Sequence, residues 1–356
     1  MKVKKVLVMA GGTGGHVFPA LAIAKALEKE GAEILWLGTR GRMEEMLVPK
    51  YGYNIRYIDV KGVRRNGLKT LLKAPFMVAR AIVQARAVIK EFKPDVVLGM
   101  GGYASGPGGA AAFLSGIPVV LHEQNAAAGL TNKLLFKIAS KVMLGFPGAF
   151  AGEKVSVVGN PVRDSIIALH EKTRDFTHTP VRISMIGGSL GARALNELVP
   201  LALKKFTDDS ILVTHQCGKG NSDKVKALYE SASFKVEATD FIDNMDALYA
   251  NTDLIICRAG ALTVAETSTA GIPAIFVPLP TAVDDHQTKN ASVLAKAGAA
   301  FVCKQSSLSA DSLYDLVKSL VDDREKLAFM SAKAYECAIT DATERAVKII
   351  ESVVKD

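Results

Sequence analysis

Short apolar runs alternate with amphipathic stretches along the whole chain. The first cycle consists of an apolar run at residues 6–9, a glycine-rich turn and an amphipathic helix that ends near Gly31. Leu21, Ala24 and Leu27 lie on one face of that helix. Further strands are predicted at residues 34–37, 95–99, 118–122 and 155–158. Strands without a polar face that alternate with helices are typical of a parallel sheet covered by helices on both sides.

The same cycle begins again at residue 181. A strand, a Gly-Gly turn and a helix follow there, and further strands are predicted at residues 211–215, 254–257 and 274–277. Proline and polar residues cluster between residues 160 and 180, which indicates a linker. The pattern therefore predicts an α/β protein of two Rossmann-like domains that face a cleft, spanning residues 1–163 and 164–340. We expect a last helix, at about residues 341–356, to pack back on the first domain.

The composition is that of a folded protein with an uneven charge. Of 356 residues, 49% are apolar and 22% are charged, which excludes a disordered chain. The net charge is +8, but residues 1–163 carry 23 Lys and Arg against 10 Asp and Glu, whereas the remainder carries 21 against 26. A basic half indicates an anionic partner such as nucleic acid, anionic lipid or a phosphorylated substrate, or else only a solvated surface.

Cysteines and apolar segments exclude other classes of protein. The four cysteines are widely spaced and form no C-x-x-C pair, so we predict neither a disulfide framework nor a zinc ribbon. The first residues do not have the pattern of a signal peptide. Seven glycines and two prolines interrupt the uncharged stretch at residues 96–121, so it does not predict a spanning helix. We expect a protein of the cytoplasm or of a membrane surface.

Residues 11–16, with the sequence GGTGGH, lie between the first predicted strand and its helix. Glycines let the backbone approach a ligand closely, and a helix start offers free N–H groups to an anion. The loop is neither a Walker A motif nor a dinucleotide fingerprint, because Val17 stands where the latter requires a glycine. His16 is either a catalytic group or a histidine that serves only its own helix start. A second glycine-rich turn, at residues 101–107, suggests together with the first a pocket for a diphosphate.

Polar or charged side chains follow several other predicted strands, where open α/β sheets bind their ligands. Residues 122–125, HEQN, form either a site or a helix cap. Arg163 suits a phosphate, a base or a structural ion pair, and Ser189 suits a phosphate. Glu266 is either a surface residue or an acceptor for ribose hydroxyls, and Gln287 can hydrogen-bond a sugar. Since the chain has no Asp-x-Asp motif, we predict no metal-bridged nucleotide-sugar site.

Apolar and basic residues interleave at helical spacing before residue 90. The apolar positions are Leu68, Leu72, Phe76, Ala79, Ile82 and Val83, and the basic ones are Lys69, Lys73, Arg80 and Arg86. This pattern indicates either an amphipathic helix packed on the sheet or an interface with anionic lipid. Nucleic acid is not predicted as a partner, because aromatic residues are sparse and no nucleic-acid-binding module is visible.

Taken together and in this order, the motifs resemble those of the MurG family of bacterial glycosyltransferases. The matching segments cover essentially the whole chain and lie at residues 11–16, 101–107, 122–125, 159–163, 187–192, 258–266 and 284–291. The resemblance implies a GT-B fold and no cofactor. It implies inverting transfer of N-acetylglucosamine from UDP-N-acetylglucosamine to the 4-hydroxyl of undecaprenyl-pyrophosphoryl-N-acetylmuramyl-pentapeptide. It also implies a peripheral protein on the cytoplasmic face of the inner membrane, where cell-wall synthesis proteins are further expected partners.

The resemblance also implies roles for individual residues. The C-terminal domain would bind the donor and the N-terminal domain the lipid acceptor. Such a reaction needs a general base for the hydroxyl, and His16 is our candidate. Donor contacts are implied for Thr13, Gly14 and Gly15, sugar contacts for Asn125 and Gln287, and nucleotide or phosphate contacts for Arg163, Ser189 and Ile242. Ala261, Leu262, Thr263, Val264, Ala265 and Glu266 would line the sugar and ribose, with Glu266 on the ribose hydroxyls.

Two other functions remain compatible with such a chain. A non-hydrolysing UDP-N-acetylglucosamine 2-epimerase also has two Rossmann-like domains, and a nucleotide-sugar-binding module would need no catalytic group. The basic apolar stripe and the first glycine-rich loop favour the transferase over the epimerase. His16 and the loops expected on the acceptor side favour an enzyme over a binding module.

Overall fold

The two halves of the chain fold as separate units in the computed structural model. It describes residues 3–60, 67–170, 172–188 and 191–354, without the side chains of residues 67–73. Unit 1 comprises Met1–Val162 together with Asp341–Asp356, and unit 2 comprises Arg163–Thr340.

Unit 1 is built on a seven-stranded sheet of parallel strands in the order β3-β2-β1-β4-β5-β6-β7. The strands are β1 Lys5–Ala10, β2 Glu33–Gly38, β3 Asn54–Tyr57, β4 Val96–Gly101, β5 Val119–Glu123, β6 Lys141–Leu144 and β7 Val155–Val157. The helices are α1 Gly14–Lys29, α2 Met43–Lys50, α3 Gly67–Phe92, α4 Ser105–Leu114 and α5 Leu130–Leu135. Strand order reverses between β1 and β4, where sheets of this type bind ligands. The glycine-rich loops 11–16 and 101–107 follow these two strands.

Alternate residues of β1 are buried on opposite faces of the sheet. Val6 and Val8 pack in a core with α1, while Leu7 and Met9 pack in a second core with α3 and α4. All four side chains are fully buried. This double burial explains why the strand is an uninterrupted apolar run.

Unit 2 repeats the plan with six parallel strands in the order β10-β9-β8-β11-β12-β13. The strands are β8 Val181–Ile186, β9 Ile211–Gln216, β10 Lys235–Thr239, β11 Leu254–Cys257, β12 Ala274–Phe276 and β13 Ala300–Val302. The helices are α6 Asp164–His170, α7 Arg193–Leu203, α8 Ser222–Leu228, α9 Met245–Ala250, α10 Ala261–Thr269, α11 His286–Lys296, α12 Ala310–Val321 and α13 Arg324–Glu336, with 3-10 turns at Val283–Asp285 and Gln305–Ser307. Strand order reverses between β8 and β11, so the loops after these strands again lie at the ligand-binding edge. The predicted α/β class with two Rossmann-like units is confirmed.

The last helix, α14 (Ala342–Glu351), belongs to unit 1 and packs against α1. Ala346, Val347 and Ile350 are buried in the core that α1 shares with the sheet. Among the helices that the structure describes, none combines the length and the apolar character that crossing a bilayer requires.

Candidate active site

The first glycine-rich loop of unit 1 holds the His16 ring through its own backbone. Helix α1 begins at Gly14, and Thr13 stands in extended conformation before it. The His16 N–H donates to the Thr13 carbonyl at 3.1 Å, and Nδ1 of the ring lies 3.1 Å from the Gly11 carbonyl oxygen. A carbonyl only accepts, so Nδ1 carries the proton and Nε2 is the basic nitrogen of the neutral ring. This tautomer suits a general base.

The second glycine-rich loop packs directly on the first. Gly101 and Gly102 both have positive φ, at 102° and 93°. A Cβ on Gly101 would lie 2.9 Å from Cδ2 and Nε2 of His16, and one on Gly102 would lie 2.7 Å from the Gly11 carbonyl oxygen. Ser105 joins the two strand ends, because its hydroxyl donates to the carbonyls of Met9 and Gly101. The structure therefore brings together the two loops that sequence motifs singled out, and the glycines are what allow it.

Only the last of the four polar residues at 122–125 is accessible. His122 is buried and donates from Nε2 to the Gly159 carbonyl at 2.9 Å, while its Nδ1 accepts from Gln124 at 3.2 Å. Burial lowers the pKa of His122 to about 4, so the ring is neutral and structural. The side chains of Glu123 and Gln124 are buried as well, whereas Asn125 is half-buried.

Glu123, to which the sequence assigned no role of its own within the 122–125 motif, holds Asn125 in place. Its Oε1 accepts from the Asn125 backbone N–H at 3.1 Å and from the Asn125 side-chain amide at 3.2 Å. Its Oε2 accepts from the Gly129 N–H and from the Asn132 amide, both at 2.9 Å. The role predicted for Asn125 as a sugar ligand is compatible with this fixed and accessible position.

In unit 2, Glu266 is a buried carboxylate with two partners. It lies on α10, only 6% exposed, with Oε1 at 3.1 Å from the Arg163 guanidinium and Oε2 accepting from the Tyr249 hydroxyl at 3.0 Å. Burial raises the pKa of Glu266, and Arg163 and Tyr249 act against that rise. The sequence left a surface position open for Glu266, and this alternative is wrong. Of the roles considered for Arg163, the structure shows the ion pair.

The other residues expected around Glu266 differ in exposure. Leu262 and Thr263 are half-buried, whereas the side chains of Ala261, Val264 and Ala265 are buried. Gln287 accepts on Oε1 from the N–H groups of Ala259 and Leu279, at 3.3 and 2.9 Å. It thereby links the ends of β11 and β12 beside the start of α10. Asp284 and Asp285, to which no role is given, are exposed.

The loop after β8 is held by a side chain that sequence reasoning missed. Gln216 accepts from the Gly188 N–H at 2.9 Å and donates to the Gly188 carbonyl at 3.0 Å. Ser189, the predicted phosphate ligand, lies outside the described residues. Ile242 is half-buried in the loop after β10. The donor contacts expected of Thr13, Gly14, Gly15, Ser189 and Ile242 stay predictions. Within the described ranges, no three His, Cys, Asp or Glu side chains are grouped closely enough to hold a metal ion.

Family models match most of the chain. The N-terminal domain of glycosyltransferase family 28 matches residues 6–144, and its C-terminal domain matches residues 182–352. A relative from Shewanella frigidimarina is 52% identical and one from Aeromonas hydrophila is 55% identical. The alignments cover 99% and 96% of this chain and 97% and 95% of those relatives. Both are named UDP-N-acetylglucosamine–N-acetylmuramyl-(pentapeptide) pyrophosphoryl-undecaprenol N-acetylglucosamine transferase.

Solved structures agree with the family models. The crystal structure of Acinetobacter baumannii MurG matches with a TM-score of 0.86 and 42% identity, covering 98% of this chain and all of that one. A UDP-N-acetylglucosamine 2-epimerase from Neisseria meningitidis matches with a TM-score of 0.68 and 15% identity over 97% of this chain and 99% of that one, a likeness of fold alone. The resemblance inferred from the motifs is thereby confirmed, and the chain belongs to glycosyltransferase family 28.

Proposed function

We propose that this protein is the N-acetylglucosaminyltransferase of peptidoglycan precursor synthesis. It transfers N-acetylglucosamine from UDP-N-acetylglucosamine to the 4-hydroxyl of lipid-linked N-acetylmuramyl-pentapeptide. The observation that carries the proposal is identity of 52% and 55%, over nearly the whole chain, with relatives named for this reaction. The epimerase alternative is supported by likeness of fold alone, at 15% or 16% identity.

We assign donor binding to unit 2. Its buried Glu266 is prepared for a ligand with hydroxyl groups, because a carboxylate accepts two hydrogen bonds from a ribose diol. Arg163 beside it supplies a cation suited to a diphosphate. Glu266 lies on α10, the helix that follows β11, and the carboxyl end of β11 belongs to the usual ligand edge of this sheet type. Gln287 and the half-buried Leu262 and Thr263 complete the lining of the proposed site.

We assign the acceptor and the base to unit 1. The acceptor hydroxyl attacks the anomeric carbon, the bond to UDP breaks, and UDP leaves with the bonding electron pair. One displacement of this kind turns an α-linked donor into a β-(1→4) glycoside. His16 receives the hydroxyl proton on Nε2, and the Gly11 carbonyl at Nδ1 stabilises the imidazolium that forms.

The epimerase is separated from the transferase by a reaction with the donor alone. UDP-N-acetylglucosamine is incubated with the protein and the sugar is analysed by NMR. We expect the donor to remain N-acetylglucosamine, because a transferase needs its acceptor. Appearance of the 2-epimer would contradict the proposed function.

We further propose that unit 1 binds the cytoplasmic face of an anionic membrane, where its lipid-linked acceptor is held. Helix α3 buries Ala81, Ala85 and Ile89 against the sheet, but it exposes Phe76 by 81% and Val83 by 69%. The predicted apolar stripe is therefore divided, since its residue Ile82 packs partly against the core while Phe76, Ala79 and Val83 face outward. The side chains of Leu68, Lys69, Leu72 and Lys73 lie outside the described residues. Interactions with other cell-wall synthesis proteins stay a prediction.

The exposed apolar residues of α3 give the first test of membrane binding. Replacing Phe76 and Val83 by Ser should weaken binding to anionic vesicles at least tenfold, since burying one such side chain contributes about 1.5–3 kcal/mol. Thermal stability should hardly change, because both side chains are already exposed. The matched control is Phe329→Ser, an aromatic residue of unit 2 that is 56% exposed. Equal vesicle sedimentation of variant and control would place the membrane contact elsewhere.

The basic residues of α3 give the electrostatic test. Charge reversal at Lys69, Lys73 and Arg80 should reduce sedimentation with anionic vesicles at low salt, because each basic residue near such a surface contributes about 1 kcal/mol. High salt should remove the difference between wild type and variant. UDP affinity, measured by calorimetry, should stay unchanged. A variant that sediments like wild type at low salt would mean that these three basic residues make no electrostatic contact with the lipid.

A further inference from the structure

A buried carboxylate of unit 1 is engaged by the first glycine-rich loop. Glu44, on α2, is 1% exposed. Its Oε2 accepts from the Gly12 backbone N–H at 2.9 Å. Its Oε1 accepts from the Thr39 hydroxyl at 2.8 Å and from the Thr39 backbone N–H at 3.2 Å. In the part of the chain that the structure describes, the groups that contact the two carboxyl oxygens are two backbone N–H donors and one hydroxyl, a set of partners suited to a carboxylate.

The surrounding chain leaves room for this carboxylate. A Cβ on Gly11 would collide with Oε1 of Glu44, and a Cβ on Gly38 would lie 2.9 Å from its Cγ. Two glycines on neighbouring strand ends are thus needed for one acidic side chain. Burying a carboxylate costs free energy, so an apolar residue would serve better if only packing were required at this position.

The contacts of Glu44 lead directly to His16. Glu44 accepts a hydrogen bond from the Gly12 N–H. The carbonyl group of the same peptide bond, that of Gly11, lies with its oxygen 3.1 Å from Nδ1 of His16. From the other side, Gly102 packs on the same Gly11 backbone. The peptide group on which the His16 ring depends therefore contacts both the buried side chain of Glu44 and the second glycine-rich loop.

We propose that Glu44 is a positioning residue of this enzyme: its carboxylate orients residues 11 and 12 so that the Gly11 carbonyl holds the His16 ring in the Nδ1–H tautomer. The proposal rests on the proposed function for its effect on turnover. In Glu44→Gln, one end of the side chain becomes an NH₂ group. In either orientation that NH₂ faces a backbone N–H, of Gly12 or of Thr39, so the loop must shift.

The test is a double-mutant cycle of Glu44→Gln and His16→Ala. Glu44→Gln alone should lower turnover by about 10- to 100-fold, since a small misplacement of a catalytic group costs up to about 10²-fold. In the His16→Ala background it should lower turnover no further, because the group through which it acts is gone. UDP affinity should fall far less than turnover. The matched control is Glu45→Gln, the adjacent and more exposed acid that pairs with Arg40, which should leave turnover unchanged.

An equal loss of turnover in both backgrounds would overturn the proposal, since Glu44 would then act on the fold alone. If Glu44→Gln does not fold, Thr39→Val can replace it in the same double-mutant cycle. Thr39→Val removes only one of the three hydrogen-bond donors to Glu44, so we expect a smaller loss of turnover. The ¹⁵N chemical shifts of the His16 ring give a readout without turnover. Wild type should show the Nδ1–H tautomer, and the variant a mixture of tautomers. An unchanged tautomer would also contradict the proposal, whereas a wild type without transferase activity would contradict only the proposed function.

Discussion

His16→Ala is expected to lower the turnover of N-acetylglucosamine transfer by about 10²- to 10⁴-fold, the usual contribution of a general base. The loss should fall on kcat, because the ring accepts a proton only as the acceptor hydroxyl attacks. UDP affinity should fall far less than turnover, since Glu266 and Arg163, to which we assign the ribose and a phosphate, lie in unit 2. Initial rates with a lipid-linked acceptor analogue and calorimetry with UDP measure the two quantities.

A second replacement separates the loss of a base from the loss of a side chain. His16→Gln keeps much of the volume and a hydrogen-bonding group, but it has no basic nitrogen. We expect it to be as slow as His16→Ala. A Gln variant with near-normal turnover would show that His16 only shapes its loop and that another group accepts the proton.

Glu266→Gln is expected to weaken UDP binding by roughly 10- to 150-fold, because it removes a charge-assisted hydrogen bond worth about 1.5–3 kcal/mol. Gln is preferred to Ala, since its oxygen can still accept from the buried Tyr249 hydroxyl. Calorimetry with UDP measures the effect. The control is Glu197→Gln, which replaces an exposed glutamate that forms an ion pair with Arg193. An analogue without the ribose hydroxyls should bind wild type and variant equally. A loss of equal size for that analogue would remove Glu266 from the ribose site.

The same carboxylate gives UDP affinity a pH dependence of known sign. Burial raises the pKa of Glu266, and only the ionised form can accept from both ribose hydroxyls. The affinity for UDP should therefore have its full value at pH values above that pKa, and it should decrease as the pH falls through it. In Glu266→Gln this acidic decline should disappear.

The fold was predictable wherever strands are buried on both faces. Strand β4 is apolar and buried throughout, and β1 after Lys5 and β5 before His122 are likewise apolar and buried. The edge strand β3 was not predicted, because Asn54 and Arg56 alternate with only half-buried neighbours over four residues. Such a short run with one exposed face differs little from a loop.

The site was predictable only where residues form a motif. The glycine-rich loops and His16 stand together in the sequence, so their chemistry was recognisable. Glu44 is one of two adjacent acids in the first turn of a short helix, which is an ordinary surface pattern favoured by the helix dipole. Tyr249 likewise has the sequence pattern of an aromatic residue in the hydrophobic core. Their partners are 32 and 17 residues away in the chain, so only the folded chain reveals them.

The central claim, that this chain glycosylates a lipid-linked muramyl-pentapeptide, is tested most directly by its product. The purified protein is incubated with UDP-N-acetylglucosamine and a lipid-linked acceptor analogue, and the product is analysed by mass spectrometry and NMR. The account predicts release of one UDP for each disaccharide formed, with a new β-(1→4) linkage at the muramyl 4-hydroxyl. Recovery of unmodified acceptor, with the donor unchanged or epimerised at C2, would contradict it.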